Sequence, residues 1–117
     1  MLNQIILVGR LVKEPEIIKT ENEKSKCNIT LAVNRGYKNS EGVYDTDFFD
    51  ITLWTGVAEN TSEYCKKGDV IGVKGRLQTK LIDKDDGTKY KKIDIIGDKV
   101  TFLSTRESQK NKDDMER

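Results

Sequence analysis

Histidine is absent from this chain of 117 residues. That removes the most frequent general base near neutral pH, the commonest zinc ligand and the usual partner of a nucleophilic Ser or Cys. Only two cysteines occur, Cys27 and Cys65, which do not make a disulfide framework. Each falls in an apolar-periodic segment, where a free thiol behaves as a small buried hydrophobe, and two are too few to hold zinc alone. No apolar run approaches the ~20 residues of a membrane helix. Met1 to Gln4 lacks the basic patch and long apolar stretch of a secretory signal. The expectation is a cytoplasmic protein with no membrane partner, no cofactor and no metal. Charge of one sign is also missing: 21 Lys and Arg face 20 Asp and Glu, a net charge of +1. Any affinity for nucleic acid must therefore be read from where the basic residues sit, not from their total.

What is present is a short alternating pattern repeated along the chain. The length suits one domain, read here as residues 1–104, followed by a disordered polar tail over 105–117. Asn3 to Val12 is apolar on both parities, as in a strand covered on both sides, and Pro15 ends regular pairing or marks an edge. Asn28 to Arg35 alternates, with Ile29, Leu31 and Val33 on one side. Gly36 to Asp45 is a long polar connection, Asp47 to Trp54 a third strand, and Val57 to Lys67 a helix stopped by Gly68. Alternation resumes from Val70 to Ile82, the Asp83 to Gly87 segment reads as a hairpin loop, and Lys89 to Leu103 is a last strand broken near Gly97-Asp98. Three strands, a short helix and two strands is the element order of the OB-fold, an all-β five-stranded Greek-key barrel that binds oligonucleotides and oligosaccharides.

The third strand carries the most chemistry. A period of two puts Phe49, Ile51 and Leu53 on one face and Phe48, Asp50, Thr52 and Trp54 on the other. A carboxylate does not belong in a core row, so Phe48 and Trp54 project from a wet face. Two readings of such rings remain open. They are covered by a loop or a partner subunit, or they form a platform on which bases stack, each worth ~1–3 kcal/mol without regard to sequence. Tyr37 could extend the platform. The next strand presents Lys74, Arg76, Gln78 and Lys80 on one side with no carboxylate among them, where an ordinary surface mixes signs. Cations so spaced can track phosphates. Arg10, Arg35 and Lys38, near strand ends, are further phosphate candidates.

Three other motifs are set aside. Asp83, Asp85, Asp86 and Gly87 imitate a calcium loop, but the glycine comes one position early and Asp94 stands where Glu is required. Gly72-Val73-Lys74-Gly75 matches the GxxG of KH domains yet lies in a strand pattern, not between helices. Asp45, Asp47 and Asp50 could hold a nuclease metal, without any recognisable supporting shell.

In order and spacing, several blocks resemble the bacterial-type single-stranded DNA-binding proteins over Met1 to Ser104. They are Asn3-Gln4-Ile5-Ile6-Leu7-Val8-Gly9-Arg10-Leu11, Asn28 to Arg35, Leu53-Trp54 with Ala58-Glu59-Asn60, Tyr64-Cys65-Lys66-Lys67-Gly68-Asp69, and Gly75-Arg76-Leu77-Gln78-Thr79. The resemblance implies an OB-fold, usually a homotetramer, that coats DNA strands in replication, recombination and repair, and a nucleoid-associated place in the cytoplasm. The family's stacking aromatics fall on Tyr37, Phe48 and Trp54. A fourth falls on Ile82, where stacking is lost or reduced to apolar contact. The chain ends Lys112-Asp113-Asp114-Met115-Glu116-Arg117, without the acidic, apolar-tipped tail by which family members recruit proteins. It is similar to the short, tailless members, and recruitment through the tail is not expected. Two rivals stay in view: an OB module whose aromatic face meets another protein, and a metal-dependent nuclease.

Overall fold

A computed structural model describes residues 1–104; the expected tail from Thr105 lies outside the described residues. The elements are β1 (Ile5–Leu11), β2 (Ile17–Lys19), β3 (Ser25–Lys38), β4 (Tyr44–Trp54), α1 (Thr55–Tyr64), β5 (Val70–Asp83) and β6 (Lys89–Ser104). Sheet order is β1-β5-β6-β4-β3-β2, and a further β1–β3 pairing joins Arg10 to Ala32 and Leu11 to Leu31. That pairing closes β1, β5, β6, β4 and β3 into a five-stranded ring, with β4 and β6 parallel and the other contacts antiparallel. The all-β OB-fold expected from the element order is the fold observed, with one interposed helix.

Alternation decides what the ring encloses. Leu11, Ile29, Leu31, Ile51, Leu53, Ile71 and Val73 are fully buried, together with Cys27. Full burial of such a side chain is worth ~1.5–3 kcal/mol, so this small set must supply most of the drive to fold. Helix α1 closes one end with buried Ala58 and Thr61. Burial pushes both the Cys27 and Cys65 thiols up from their ordinary range, leaving them un-ionised and inert.

Several boundaries differ from expectation. β1 is not covered on both sides, since Ile6 and Val8 are 64% and 51% exposed. The short β2, unpredicted, pairs Ile17 with Cys27 and Lys19 with Ser25, while Pro15 between β1 and β2 is buried. The polar connection after β3 shrinks to a hairpin turn. Asn39 Oδ1 accepts from the Glu41 and Val43 N–H groups at 2.9 and 3.0 Å, and Gly42 takes φ +80°. The helix runs Thr55–Tyr64, not 57–67. Gly68, at φ +95°, belongs instead to a separate turn, pinned to β1 by its N–H donating to the Leu11 carbonyl at 2.8 Å. The break foreseen in the last strand is a bulge: Gly75 faces Gly97 and Lys74 faces Lys99, so Asp98 has no rung partner.

Candidate nucleic-acid interface

The β3–β4 pair builds the floor of the site. Their outward residues meet in register: Lys26 opposite Trp54, Asn28 opposite Thr52, Thr30 opposite Asp50 and Ala32 opposite Phe48. The polar rungs satisfy each other. Thr30 Oγ1 donates to Asp50 Oδ1 at 2.6 Å, and Thr52 Oγ1 donates to Asn28 Oδ1 at 3.2 Å. The two rings flank these rungs. Phe48 stands beside only an alanine methyl and is 65% exposed. Trp54 is half-buried at the junction of β4 with α1, with Lys26 Nζ 5.4 Å from its ring centroid.

The β5–β6 ladder supplies the opposing wall. At Gly75 the strands approach so closely that a Cβ would collide with the Ile96 carbonyl. Past this point Arg76 faces Ile96, Gln78 faces Asp94, Lys80 faces Lys92 and Ile82 faces Tyr90. Floor and wall enclose an open groove of about 1000 Å³ that Phe48 and Trp54 share with Arg76, Gln78, Lys80 and Ile82. Its cations are Lys13, Lys26, Arg76, Lys80 and Lys92 and its carboxylates Asp50 and Asp94. The groove thus carries an excess of basic side chains although the chain is nearly neutral. Arg76 is paired with Asp98, and Lys92 lies 3.5 Å from Asp94. Lys13, Lys26 and Lys80 have no carboxylate partner among the described residues.

Of the residues singled out from the sequence, Phe48, Trp54, Ile82, Arg76 and Lys80 converge on the groove. The others do not line it. Lys74 sits before the bulge, opposite Ile6 on the outer side of β1. Arg10 Nη1 donates to the Gly68 carbonyl at 2.6 Å, fastening the turn after the helix. Arg35 forks onto Asp47 with bonds of 3.1 and 3.0 Å and lies 3.6 Å from Asp45. This pairing holds the Asp47 carboxyl below its usual range and raises the guanidinium further. Lys38 Nζ lies 5.7 Å from the Tyr44 ring centroid. Tyr37 is 66% exposed within the β3–β4 irregularity between Asn34 and Lys38. Lys13, Lys26 and Lys92 went unnoticed in the sequence. The signal for Lys26 was its even parity with Asn28 and Thr30, overlooked because the alternating strand was read as beginning only at Asn28. Lys92 had none until the rung with Lys80 was known.

The nuclease alternative loses its geometry here. Asp45 and Asp47 share one face of β4 while Asp50 alternates to the other, and Arg35 already neutralises the first two. No metal-ligating cluster of three acidic or cysteine side chains occurs among the described residues. No described helix is long and apolar enough to cross a membrane.

Comparison with known proteins bears on the same segment. The model of the family described as "Single-strand binding protein family" matches residues 2–103. The chain is 39% identical over 113 residues to single-stranded DNA-binding protein B of Bacillus subtilis, covering 97% of this chain and 100% of that one. It is 41% identical over 109 residues to a single-stranded DNA-binding protein of Halalkalibacterium halodurans, covering 93% of this chain and 65% of the relative. Single-stranded DNA-binding protein 1 of Staphylococcus aureus is 36% identical over 115 residues, with 98% and 74% covered.

Proposed function

The chain belongs to the single-strand binding protein family, and from that premise we propose how it holds single-stranded DNA. It is a binding protein and not an enzyme. The strand lies in the groove between the β3–β4 floor and the β5–β6 wall, with bases stacked on Phe48 and Trp54. Ile82 offers apolar contact, and phosphates meet Lys26, Arg76, Lys80 and Lys92. One observation carries this reading: two accessible rings and five cations line the same groove, against only two carboxylates. Stacking supplies affinity that no base sequence commands, and the cations supply a salt-dependent attraction for the backbone. Tyr37, Lys38 and Lys74, outside the groove, would serve only a strand that continues beyond it.

The same reading extends to biology. A sequence-tolerant coat on exposed strands fits replication, recombination and repair, at the nucleoid. Assembly into a homotetramer is supported by apolar side chains left exposed outside the groove, among them Ile6 and Val8 on β1 and Leu77 and Leu81 on the β5–β6 hairpin. Trp54 is the only tryptophan, so its fluorescence reports the site alone. Oligo(dT) is expected to quench it in proportion to occupancy, with binding that weakens as salt rises. An OB module that uses this face for a protein partner would instead fold and assemble normally yet leave Trp54 unquenched.

A further inference from the structure

The wall of the groove ends on an aromatic that the groove itself does not include. Directly opposed residues of an antiparallel pair point to one face. Four alternate rungs from Arg76 to Ile82 share one face, and seven of their eight side chains, Arg76 with Ile96, Gln78 with Asp94, Lys80 with Lys92, and Ile82, line the groove. The eighth is Tyr90, opposite Ile82. It therefore continues the same surface one position past the groove's end, and at 42% exposure its ring is available.

Two further observations point to a ligand there. Lys80 and Lys92 confront each other across a rung, an arrangement of like charges that weakens a sheet. Asp94 offsets Lys92 at 3.5 Å, while Lys80 has no carboxylate among the described residues. A polyanion crossing this rung relieves the repulsion, and the next rung along its path is Ile82 with Tyr90. The second observation is a repeated pairing. Lys84 Nζ stands 5.2 Å from the Tyr90 ring centroid, much as Lys26 Nζ stands 5.4 Å from that of Trp54. An accessible ring with an ammonium group at its face offers a base a stacking surface and a phosphate a partner.

We propose that Tyr90, flanked by Lys84, is a further stacking station for single-stranded DNA at the outer end of the groove, and that it sets how long a stretch of strand the protein covers. This rests on the groove reading above. The ring takes the stacking role that Ile82 cannot fill, from the opposite strand of the same rung.

The test uses the full chain and labelled oligo(dT) of graded length, with binding read by anisotropy. Tyr90→Phe keeps the ring and is expected to bind every length within about twofold of the wild type. Tyr90→Ala and Tyr90→Leu are expected to lose about fivefold or more on long oligomers, with little change on the shortest that still quench Trp54. In the wild type, iodination of Tyr90 should be blocked by long oligomers and not by short ones. Wild-type affinity in Tyr90→Ala, alongside weakened binding in Trp54→Ala, would overturn the station and leave the groove standing. Full binding by Tyr90→Leu would reduce it to apolar cover of Ile82 and overturn stacking. If the wild type binds no oligo(dT) at all, the groove reading itself fails, and Tyr90 with it.

Discussion

Phe48 and Trp54 owe their exposure to what stands across from them. An alanine at the Phe48 rung leaves that ring without a neighbour of its own size, and a lysine at the Trp54 rung covers only one side of the indole. Replacing either ring by alanine should weaken binding of labelled oligo(dT) by roughly five- to a hundredfold, as expected for a lost base stack, while thermal melting stays near that of the wild type. The residue after Trp54 carries backbone strain. Thr55 sits at φ +50°, a region where a β-branched residue is out of place and strain costs ~1–3 kcal/mol. Thr55→Asn or Thr55→Gly should therefore raise the melting temperature by a few degrees, on the order of the usual conversion from free energy. Arg35 shows the opposite fate of a candidate. Because its fork depresses the Asp47 carboxyl, the pair stabilises the fold above the ordinary carboxylate range. That contribution is lost as pH falls through the lowered value in the folded state. Asp47→Asn should remove this part of the acid-unfolding limb, measured by circular dichroism, and leave neutral-pH DNA affinity unchanged.

Among the elements, the β5–β6 ladder does the most to shape the site. Its bulge at Asp98 and the close approach at Gly75 turn the strands, so that residues before and after the bend serve different surfaces. Lys74 and Lys80 share a parity in the sequence, yet only Lys80 reaches the groove. The salt dependence of binding should separate them. Lys80→Ala and Lys92→Ala should each reduce the slope of log affinity against log salt by about 0.7, the value for one phosphate contact on a single strand. Lys74→Ala should leave the slope of a groove-length oligomer unchanged. Here the period-two reading succeeded for the floor and misled for the wall. β4 runs straight past the rungs that matter, whereas β5 bends between its first cation and its second.

Over the whole molecule, near-neutral net charge coexists with a basic groove because the acidic side chains are spent elsewhere. Asp45 and Asp47 are bound to Arg35, and Asp86 accepts from the Thr88 N–H and hydroxyl within the hairpin turn, whereas Asp98 offsets Arg76 at the groove itself. Apolar side chains are distributed just as unevenly, with Ile6 and Val8 outward on β1. If this row joins copies of the chain, Ile6→Glu should lower the mass seen by light scattering without unfolding the barrel, since Ile6 contributes nothing to the enclosed core.

The sequence by itself determined the barrel and the outward face of its third long strand, because both depend on local alternation: Ile29, Leu31, Ile51 and Leu53 turn inward wherever Phe48 and Trp54 turn outward. It also carried the family pattern, through blocks whose order survives in one dimension. Only the tertiary structure decided which cations serve the groove. A lysine's surroundings are set by register, bend and the nearest carboxylate, all of them contributed by strands distant in sequence. Arg35 was removed by partners ten and twelve residues away, Lys74 by a bulge in the facing strand, and Lys92 was added by a rung that no single strand reveals.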